Sequence, residues 1–301
     1  MNAFSNTLNN PAKPVIRMAR DVLGLFKLRI GFMIMLTALV GLIATPGPAI
    51  GILKVLVLAL AVLIASASAG AFNQYYEFDT DSLMARTRGR AFVTGALPHS
   101  RSWLVLIAVL LFGAVAAAAW WLNPVSAGFV FLGAFFYAVV YTVWLKRRSS
   151  LNIVVGGLAG SFAVLAGAAA VDPALGPLPW LLAAILFLWT PPHFWSLAIA
   201  NEREYAAAGV PMLPVVVGVP RAARIVLFSA IALAATALLP VFFGAGLTYF
   251  LGAAAGGGHF VYKAWQLARA PSRKTAMGSF FASLVQLSLL LVAATVDSAL
   301  R

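Results

Sequence analysis

The sequence predicts an all-α polytopic membrane protein with about nine transmembrane helices, and three observations support this fold class. Of the 301 residues, 62% are hydrophobic and only 10% are charged, whereas about 25% of the residues of a soluble domain are charged. Nine stretches approach the roughly 20 apolar residues that cross a bilayer, where a helix satisfies its own backbone polar groups. These stretches cover residues 30–46, 52–73, 103–121, 125–144, 153–171, 178–200, 223–243, 245–265 and 276–296.

The basic residues supply the third observation, because they gather on one side of the predicted membrane. Nineteen of the 21 Lys and Arg residues fall in the N-terminal segment or in alternate loops, and only Lys54 and Arg301 fall on the other side. Cytoplasmic loops are enriched in Lys and Arg, so we expect a cytoplasmic N-terminus and an outer C-terminus. The net charge of +13 thereby reflects topology, and we expect no nucleic-acid partner.

The pattern divides the chain into a basic cytoplasmic arm, residues 1–29, and a single transmembrane domain, residues 30–301, with active-site loops near 74–102 and 201–222. The arm is weakly amphipathic over residues 15–26 and lacks the apolar core and cleavage site of a signal peptide. We expect a helix on the inner leaflet, with a mitochondrial transit peptide as the alternative. The chain has no cysteine, which excludes disulfides and cysteine-ligated zinc.

The acidic residues direct attention to the cytoplasmic end of the second predicted helix. Asn73, Glu77 and Asp81 are spaced i, i+4, i+8, which places them on one helix face, whereas Asp79 falls off this face. Magnesium prefers oxygen ligands and takes one or two carboxylates together with substrate phosphates and water. The spacing therefore predicts a magnesium site.

Three arginines follow this acidic stripe directly, at Arg86, Arg88 and Arg90. Guanidinium groups match the geometry of phosphate oxygens, so carboxylates beside arginines suit a diphosphate bridged to a metal. The alternative is a solvated acidic helix end followed by an ordinary positive-inside loop.

A second acidic cluster follows the sixth predicted helix and contains Glu202, Arg203 and Glu204. Helices 2 and 6 run in the same direction, and each ends in acids and a loop of roughly 20 residues, as in a weak parallel repeat. Two facing half-sites would hold one diphosphate between them. Alternatively, Glu202 and Glu204 form surface ion pairs with Arg203 or nearby lysines.

These motifs resemble the UbiA superfamily of membrane prenyltransferases, whose Asn-x-x-x-Asp/Glu-x-x-x-Asp motif is matched by Asn73, Glu77 and Asp81. Within it the chain is most similar to the branch of protohaem IX farnesyltransferases (haem O synthases), over roughly residues 22–295. The stretches that favour this branch are Asn73-Gln74-Tyr75 through Leu97, Tyr141-Thr142 through Gly157, Thr190-Pro191-Pro192-His193-Phe194-Trp195, and Ala208-Gly209-Val210-Pro211-Met212-Leu213-Pro214.

The chain departs from the pattern at three places. Ala91 stands where the family usually has proline, and Gly160 begins a Gly-Ser-Phe-Ala stretch where a Pro-Pro pair is frequent. In helix 6, Tyr205 replaces the second aspartate of an Asp-x-x-x-Asp motif, and Glu204 is offset by one. An acid followed by tyrosine is common in the haem branch, so this departure favours that branch.

The resemblance implies transfer of a farnesyl group from farnesyl diphosphate to a vinyl group of protohaem IX, with Mg²⁺ as cofactor. An allylic cation forms, the vinyl group attacks it, and water captures the resulting charge to give haem O. The implied catalytic residues are Asn73, Glu77, Asp81, Arg86 and Arg90, the metal ligands Asn73, Glu77, Asp81 and Glu204, and the substrate-binding residues Arg88, Lys146, Asn152, His193 and Tyr205.

Three of these residues also have simpler interpretations. His193 follows two prolines that free backbone groups, so it either faces the porphyrin or bonds to a freed carbonyl. Lys146 either adds charge to the diphosphate pocket or anchors a positive-inside loop, and Tyr205 either lines the site or belongs to an aromatic belt.

The expected setting is the bacterial inner membrane, with the active site on the cytoplasmic side and a haem A synthase or oxidase-assembly protein as partner. A related prenyltransferase acting on a quinone precursor or a chlorin is the alternative enzyme. A transporter is the alternative of another class, but the mid-membrane ionisable residues of a coupled carrier are missing.

Overall fold

The computed structural model describes residues 12–300, with side chains from residue 18, and this part of the chain is helical without strands. The first eleven residues of the predicted arm lie outside the described residues. A π-helical segment, Phe136–Leu145, and a 3₁₀ segment, Leu239–Phe243, accompany fourteen α-helices between residues 12 and 300. The α-helices are α1 (Ala12–Leu25), α2 (Leu28–Ala44), α3 (Ile52–Tyr76), α4 (Phe78–Ser82), α5 (Ser102–Trp121), α6 (Pro124–Phe135), α7 (Asn152–Gly156), α8 (Leu158–Val171), α9 (Pro177–Ala200), α10 (Glu202–Ala207), α11 (Leu213–Val217), α12 (Val219–Thr236), α13 (Leu247–Arg269) and α14 (Arg273–Leu300).

Each predicted span coincides with helical structure, and the all-helical membrane fold is confirmed. Among the described residues seven helices are long and apolar enough to cross a membrane, or eight when the bent pair formed by Met18–Leu25 and α2 counts as one span. Helix α13, at the position of the eighth predicted span, 245–265, is not among them. Three consecutive glycines, Gly256–Gly258, and the polar His259 and Lys263 lower its hydropathy. The count of nine spans and the orientation of the termini stay predictions.

The interior of the bundle consists mainly of two apolar clusters. The larger one lies among α9, α12, α13 and α14, and the smaller one among α2, α3, α5, α6 and α8. The backbones of helices α2 and α8 touch where the two helices cross. A Cβ on Gly41 would collide with the Val164 carbonyl, and a Cβ on Gly167 would collide with the Ala38 carbonyl. Small residues at such crossings permit the close packing that holds membrane helices together.

One acidic residue has a structural role at the end of the bundle remote from the acidic stripe. The Asp297 carboxylate, near the end of α14, accepts hydrogen bonds from the backbone N–H groups of Gly246 (2.8 Å) and Tyr249 (3.3 Å) at the start of α13. A carboxylate at a helix N-terminus satisfies free N–H groups and the helix dipole. Asp297 therefore fixes the last helix to its neighbour.

Three irregularities lie near the end of the bundle where α3 finishes, called here the acidic end. Helices α1 and α2 are separated at Lys27, which adopts a left-handed conformation with φ 48°. The fourth predicted span changes from α- to π-helix at Phe136, and the fifth is interrupted at Gly157. Hydropathy did not predict the second and third breaks, because both lie within uninterrupted apolar sequence.

Candidate active site

The acidic stripe keeps its helical alignment although α3 ends before it is complete. The Glu77 N–H donates to the Asn73 carbonyl (3.0 Å), and the Asp81 N–H donates to the Glu77 carbonyl (2.8 Å). Asn73, Glu77 and Asp81 are each at most 2% exposed, whereas Asp79 is exposed. The predicted one-sided oxygen ladder is therefore present, and it points into the protein.

Two basic side chains neutralise the buried carboxylates. Lys146 Nζ donates to Glu77 Oε1, and Arg90 Nη1 donates to Asp81 Oδ2 and lies 3.8 Å from Glu77 Oε2. Burial raises the pKa of the Asp81 carboxyl, and Arg90 opposes this shift. Burial lowers the pKa of the Lys146 ammonium, and Glu77 opposes that shift. Buried charges require such pairing because desolvation alone is costly.

A third cation, Lys27, reaches the stripe from the break between α1 and α2. Its Nζ donates to Asn73 Oδ1 (2.6 Å) and to the Tyr137 hydroxyl (3.3 Å), while Asn73 Nδ2 donates to Thr142 Oγ1 (3.1 Å). Lys27 has no ion pair among the described residues. The sequence identifies Lys27 only as a basic residue of the arm. The feature that could have identified it as a site residue is its position directly before the first span.

The π-helical segment brings further side chains to the same pocket. Tyr137 and Tyr141 stack with ring centroids 5.7 Å apart, Lys146 Nζ lies 5.8 Å from the Tyr141 ring, and Lys27 Nζ lies 5.8 Å from the Tyr137 ring. An i→i+5 helix has roughly 4.4 residues per turn, so Tyr137 and Lys146 are about two turns apart on one face. At 3.6 residues per turn they would lie on opposite faces.

The second predicted loop packs against the first. Tyr205 is buried in a cluster with Met84, Ile153 and Met212. Burial raises the pKa of the Tyr205 hydroxyl, and the positive charge of the nearby Arg86 opposes this shift. The structure therefore brings α10 and the arginine loop together, as the facing half-sites predict.

Other predicted site residues take more varied positions. Asn152 is fully buried, with its Nδ2 donating to the Lys146 carbonyl (3.2 Å) and its Oδ1 without a partner among the described residues. Arg88 is exposed. Glu202 and Glu204 form no ion pair within the described chain, so the predicted surface pairing with Arg203 is not seen there.

Glu204 does not join Glu77 and Asp81 in a ready-made metal cluster. Within residues 18–300, no three His, Asp or Glu side chains lie close enough to hold a metal by themselves. The fit to Mg²⁺ rests instead on Asp81 Oδ1, which is buried without a hydrogen-bond partner in the described chain, and on the oxygen ladder around it. One or two carboxylates plus substrate phosphates form the usual set for Mg²⁺.

His193 lies away from this pocket, on α9 two turns before the helix ends. Its Nδ1 is 2.7 Å from Ser283 Oγ on α14. Trp189 and Phe280 stack on its two sides, with centroid distances of 4.2 and 4.5 Å. Of the two interpretations, the hydrogen bond from His193 to a freed backbone carbonyl is not seen. The Nδ1 partner is instead the Ser283 hydroxyl group.

Comparison with known proteins places this geometry in a family. The model of the UbiA prenyltransferase family matches residues 34–285. The chain is 56% identical to protoheme IX farnesyltransferase 2 of Paramagnetospirillum magneticum, over 90% of this chain and 94% of that protein. It is 44% identical to protoheme IX farnesyltransferase 1 of the same organism, over 92% and 98%.

Solved structures share the fold at low sequence identity. A digeranylgeranylglyceryl phosphate synthase structure has a TM-score of 0.79 at 17% identity and covers 94% of this chain and 99% of that one. A UbiA homolog from Archaeoglobus fulgidus, bound to DMAPP and Mg²⁺, has a TM-score of 0.72 at 15% identity, covering 90% and 99%. Family model, relatives and fold agree: this multi-pass membrane protein belongs to the UbiA prenyltransferase family.

Proposed function

We propose that this chain transfers the farnesyl group of farnesyl diphosphate to a vinyl group of protohaem IX, with addition of water, and so makes haem O. The observation that carries the proposal is the 56% identity, over nine-tenths of the chain, to a relative named for this reaction. The buried oxygen ladder beside several cations supports it, because a diphosphate needs both metal ligands and positive charge.

The oxygens of Asn73, Glu77 and Asp81 are the ligands proposed for Mg²⁺, together with Glu204 from the facing loop. Once bound, this ion would neutralise charge on the departing diphosphate. The homolog from Archaeoglobus fulgidus holds DMAPP and Mg²⁺ together in the same fold.

The cations of the pocket would bind the diphosphate and stabilise the charge on its leaving oxygens. Arg86 and Arg88 are exposed at the mouth, and Arg90 and Lys146 already lie at the carboxylates. Fixed positive groups aimed at developing negative charge are an effective source of catalysis. We assign catalysis to Arg86 and Arg90, and substrate binding to Arg88 and Lys146.

Asn152 and Tyr205 complete the proposed lining of the diphosphate pocket. Asn152 Nδ2 donates to the Lys146 carbonyl, which leaves the Oδ1 of the same amide unpartnered beside Lys146. Tyr205 joins the Arg86 loop to α10. His193 belongs to the binding site of the acceptor, because it lies deeper in the bundle than the diphosphate pocket.

The proposed setting is the bacterial inner membrane, with nine spans, a cytoplasmic N-terminus, an outer C-terminus and the active site on the cytoplasmic side. The one-sided distribution of Lys and Arg supports this orientation. We assign residues 1–29 to an N-terminal arm that reaches the active site through Lys27, and residues 30–301 to one catalytic domain. A haem A synthase or oxidase-assembly protein would take the product.

An assay of purified protein in detergent with protohaem IX, farnesyl diphosphate and Mg²⁺ tests the proposal. We expect a haem product heavier by one farnesyl group plus water, lost with EDTA and in Glu77→Gln and Asp81→Asn. The exposed Asp79→Asn is the matched control and keeps activity. Prenylation of an aromatic acceptor such as 4-hydroxybenzoate without any haem product would contradict the haem assignment and retain the family.

A further inference from the structure

The hydrogen bonds around His193 determine which of its ring nitrogens carries the proton. Ser283 Oγ donates its single hydrogen to the Phe280 carbonyl, at 2.6 Å. A hydroxyl group has one hydrogen and two acceptor lone pairs, so the same oxygen accepts from His193 Nδ1 at 2.7 Å. His193 therefore carries its proton on Nδ1, and Nε2 presents a lone pair.

That lone pair is unused within the protein and is accessible. Nε2 has no hydrogen-bond partner among the described residues. The described side-chain atoms that are both unpartnered and fully buried belong to Asp81, Asn152, Trp195 and Gln286. Nε2 of His193 is not one of these atoms, so it is in part accessible. The imidazole is 6% exposed, and its faces are stacked against aromatic rings, so the accessible part includes its Nε2 edge.

The imidazole is surrounded by aromatic rings, those of Trp189, Phe194 and Phe280. Trp189 Nε1 donates to the Ser283 carbonyl at 2.8 Å, which fixes the ring that stacks on His193. Phe194, Phe281 and Leu284 are exposed on the same two helices. A neutral imidazole whose Nδ1–H is held by a hydroxyl group and whose Nε2 is unpartnered is a suitable ligand for metalloporphyrin iron.

We propose that Nε2 of His193 is an axial ligand of the iron of the porphyrin acceptor, with Ser283 as its positioning residue. The inference rests on the proposed function and adds to it the atom that holds the acceptor. The lone pair forms a dative bond to iron and displaces a weakly held ligand; no proton or electron is transferred. The protein has two other histidines, His99 and His259, which supply controls.

The first test is spectroscopic and does not depend on turnover. Ferric protohaem IX is added to the purified full-length protein in detergent, and absorption and electron paramagnetic resonance spectra are recorded. We expect the signature of an axial nitrogen ligand in the wild type, in His99→Ala and in His259→Ala, its loss in His193→Ala, and its return when imidazole is added to that variant. An unchanged signature in His193→Ala would overturn the proposal.

The second test uses Ser283→Ala, which leaves the imidazole in place but removes the acceptor for Nδ1–H. Loss of such a supporting hydrogen bond weakens metal binding about 10–100-fold. We expect a fall of that size in haem affinity with unchanged farnesyl diphosphate affinity, while Ser288→Ala, an exposed serine on the same helix, binds both substrates normally. Equal haem affinity in the two serine variants would contradict the positioning role.

The outcomes separate the two proposals. If the wild type produces farnesylated haem but its spectrum is the same as that of His193→Ala, the ligand assignment fails and the proposed function stands. If the wild type binds or modifies no haem but prenylates another acceptor, the proposed function fails and the ligand assignment fails with it.

Discussion

Charge compensation at the acidic end differs from residue to residue. Glu77 and Asp81 each have a basic partner, but Lys27 has only the neutral oxygens of Asn73 and Tyr137. A partly buried cation without an anion is unfavourable unless a ligand supplies one. Lys27 also adopts a left-handed backbone conformation, and such strain is frequent at functional sites. We therefore add Lys27 to the groups expected to bind the diphosphate.

Replacing Lys27 by methionine tests this assignment. A charge-assisted hydrogen bond contributes about 1.5–3 kcal/mol, so we expect the affinity for farnesyl diphosphate, measured by calorimetry, to fall roughly 10–100-fold. Arg29→Met, at an exposed position two residues away, should change it little. Lys27→Gly should lose affinity equally but unfold at a higher temperature than Lys27→Met, because glycine tolerates this conformation. Normal affinity in both Lys27 variants would exclude a role in diphosphate binding.

For single residues, the sequence predicts those positions in the site that follow from helical spacing and few others. Asn73, Glu77 and Asp81 align because the i→i+4 backbone bonds continue across the end of α3. Lys27 and Tyr137 were not predicted because their places depend on a helix break and on π-helical winding. Glu204 was predicted beside the metal site from a repeat of helix ends, a pattern that gives proximity of loops but not side-chain direction.

Among elements, the crossing of α2 and α8 depends on glycine. A Cβ on Gly167 would overlap the Ala38 carbonyl, and backbone cannot move aside as a flexible side chain does, whereas a Cβ on Gly160 of the same helix meets nothing within 4 Å. Helix α8 therefore has no room for a methyl group at Gly167, where it crosses α2, and ample room for one at Gly160.

We expect Gly167→Ala to destabilise the protein by at least about 1–3 kcal/mol, the usual cost of overpacking. Gly160→Ala should leave stability equal or raise it, since alanine favours helix by roughly 1 kcal/mol over glycine. Thermal unfolding in detergent measures both. Equal unfolding temperatures for the two variants would refute the proposed backbone contact.

The π-helical segment depends on a different glycine. A Cβ on Gly156 would lie 2.8 Å from Tyr141 Cδ2 and 3.3 Å from its Cβ, so Gly156→Ala should displace the ring between Tyr137 and Lys146. We expect kcat to fall about tenfold or more while the unfolding temperature changes little, because a displacement of about 1 Å near reacting groups is costly. Gly160→Ala serves again as control. An unchanged kcat would mean that the Tyr141 position does not matter.

A helix could be predicted from the sequence where the length of an apolar stretch determines it. The type of helix, α or π, could not be predicted in this way. The predicted span 178–200 corresponds closely to α9. The predicted span 125–144, in contrast, contains α6 and the π segment, which have the same apolar character. Hydropathy measures transfer into lipid and does not register which carbonyl an N–H group bonds.

For the whole molecule, the composition predicts a helical membrane protein, but the number of spans depends on one glycine-rich helix. Helix α13 packs Gly256 against Gln286 of α14 and Gly257 against Ala234 of α12, so part of its membrane compatibility comes from neighbouring helices and not from its own side chains. Single-helix hydropathy therefore underestimates it. If α13 spans, the C-terminus lies opposite the N-terminus.

The absence of cysteine permits a direct test of this topology. Phe242→Cys precedes α13 and Ser272→Cys follows it, and both positions are exposed. We expect a membrane-impermeant thiol reagent to label Phe242→Cys in intact cells and Ser272→Cys only after permeabilisation, with no labelling of the wild type. Labelling of both variants from the same side would remove α13 from the spans, and a reversed pattern would invert the orientation.

The internal pairing of Lys146 with Glu77 and of Arg90 with Asp81 has a consequence for the order of binding. A divalent ion that enters by itself must compete with one ammonium group and one guanidinium group, and these two cations would then lose their anions. An ion that arrives together with a diphosphate exchanges partners instead, because the displaced cations gain phosphate oxygens. By reciprocity each component then raises the affinity for the other. The enzyme should accordingly bind free metal weakly at low concentration and bind the metal–diphosphate complex as a single ligand.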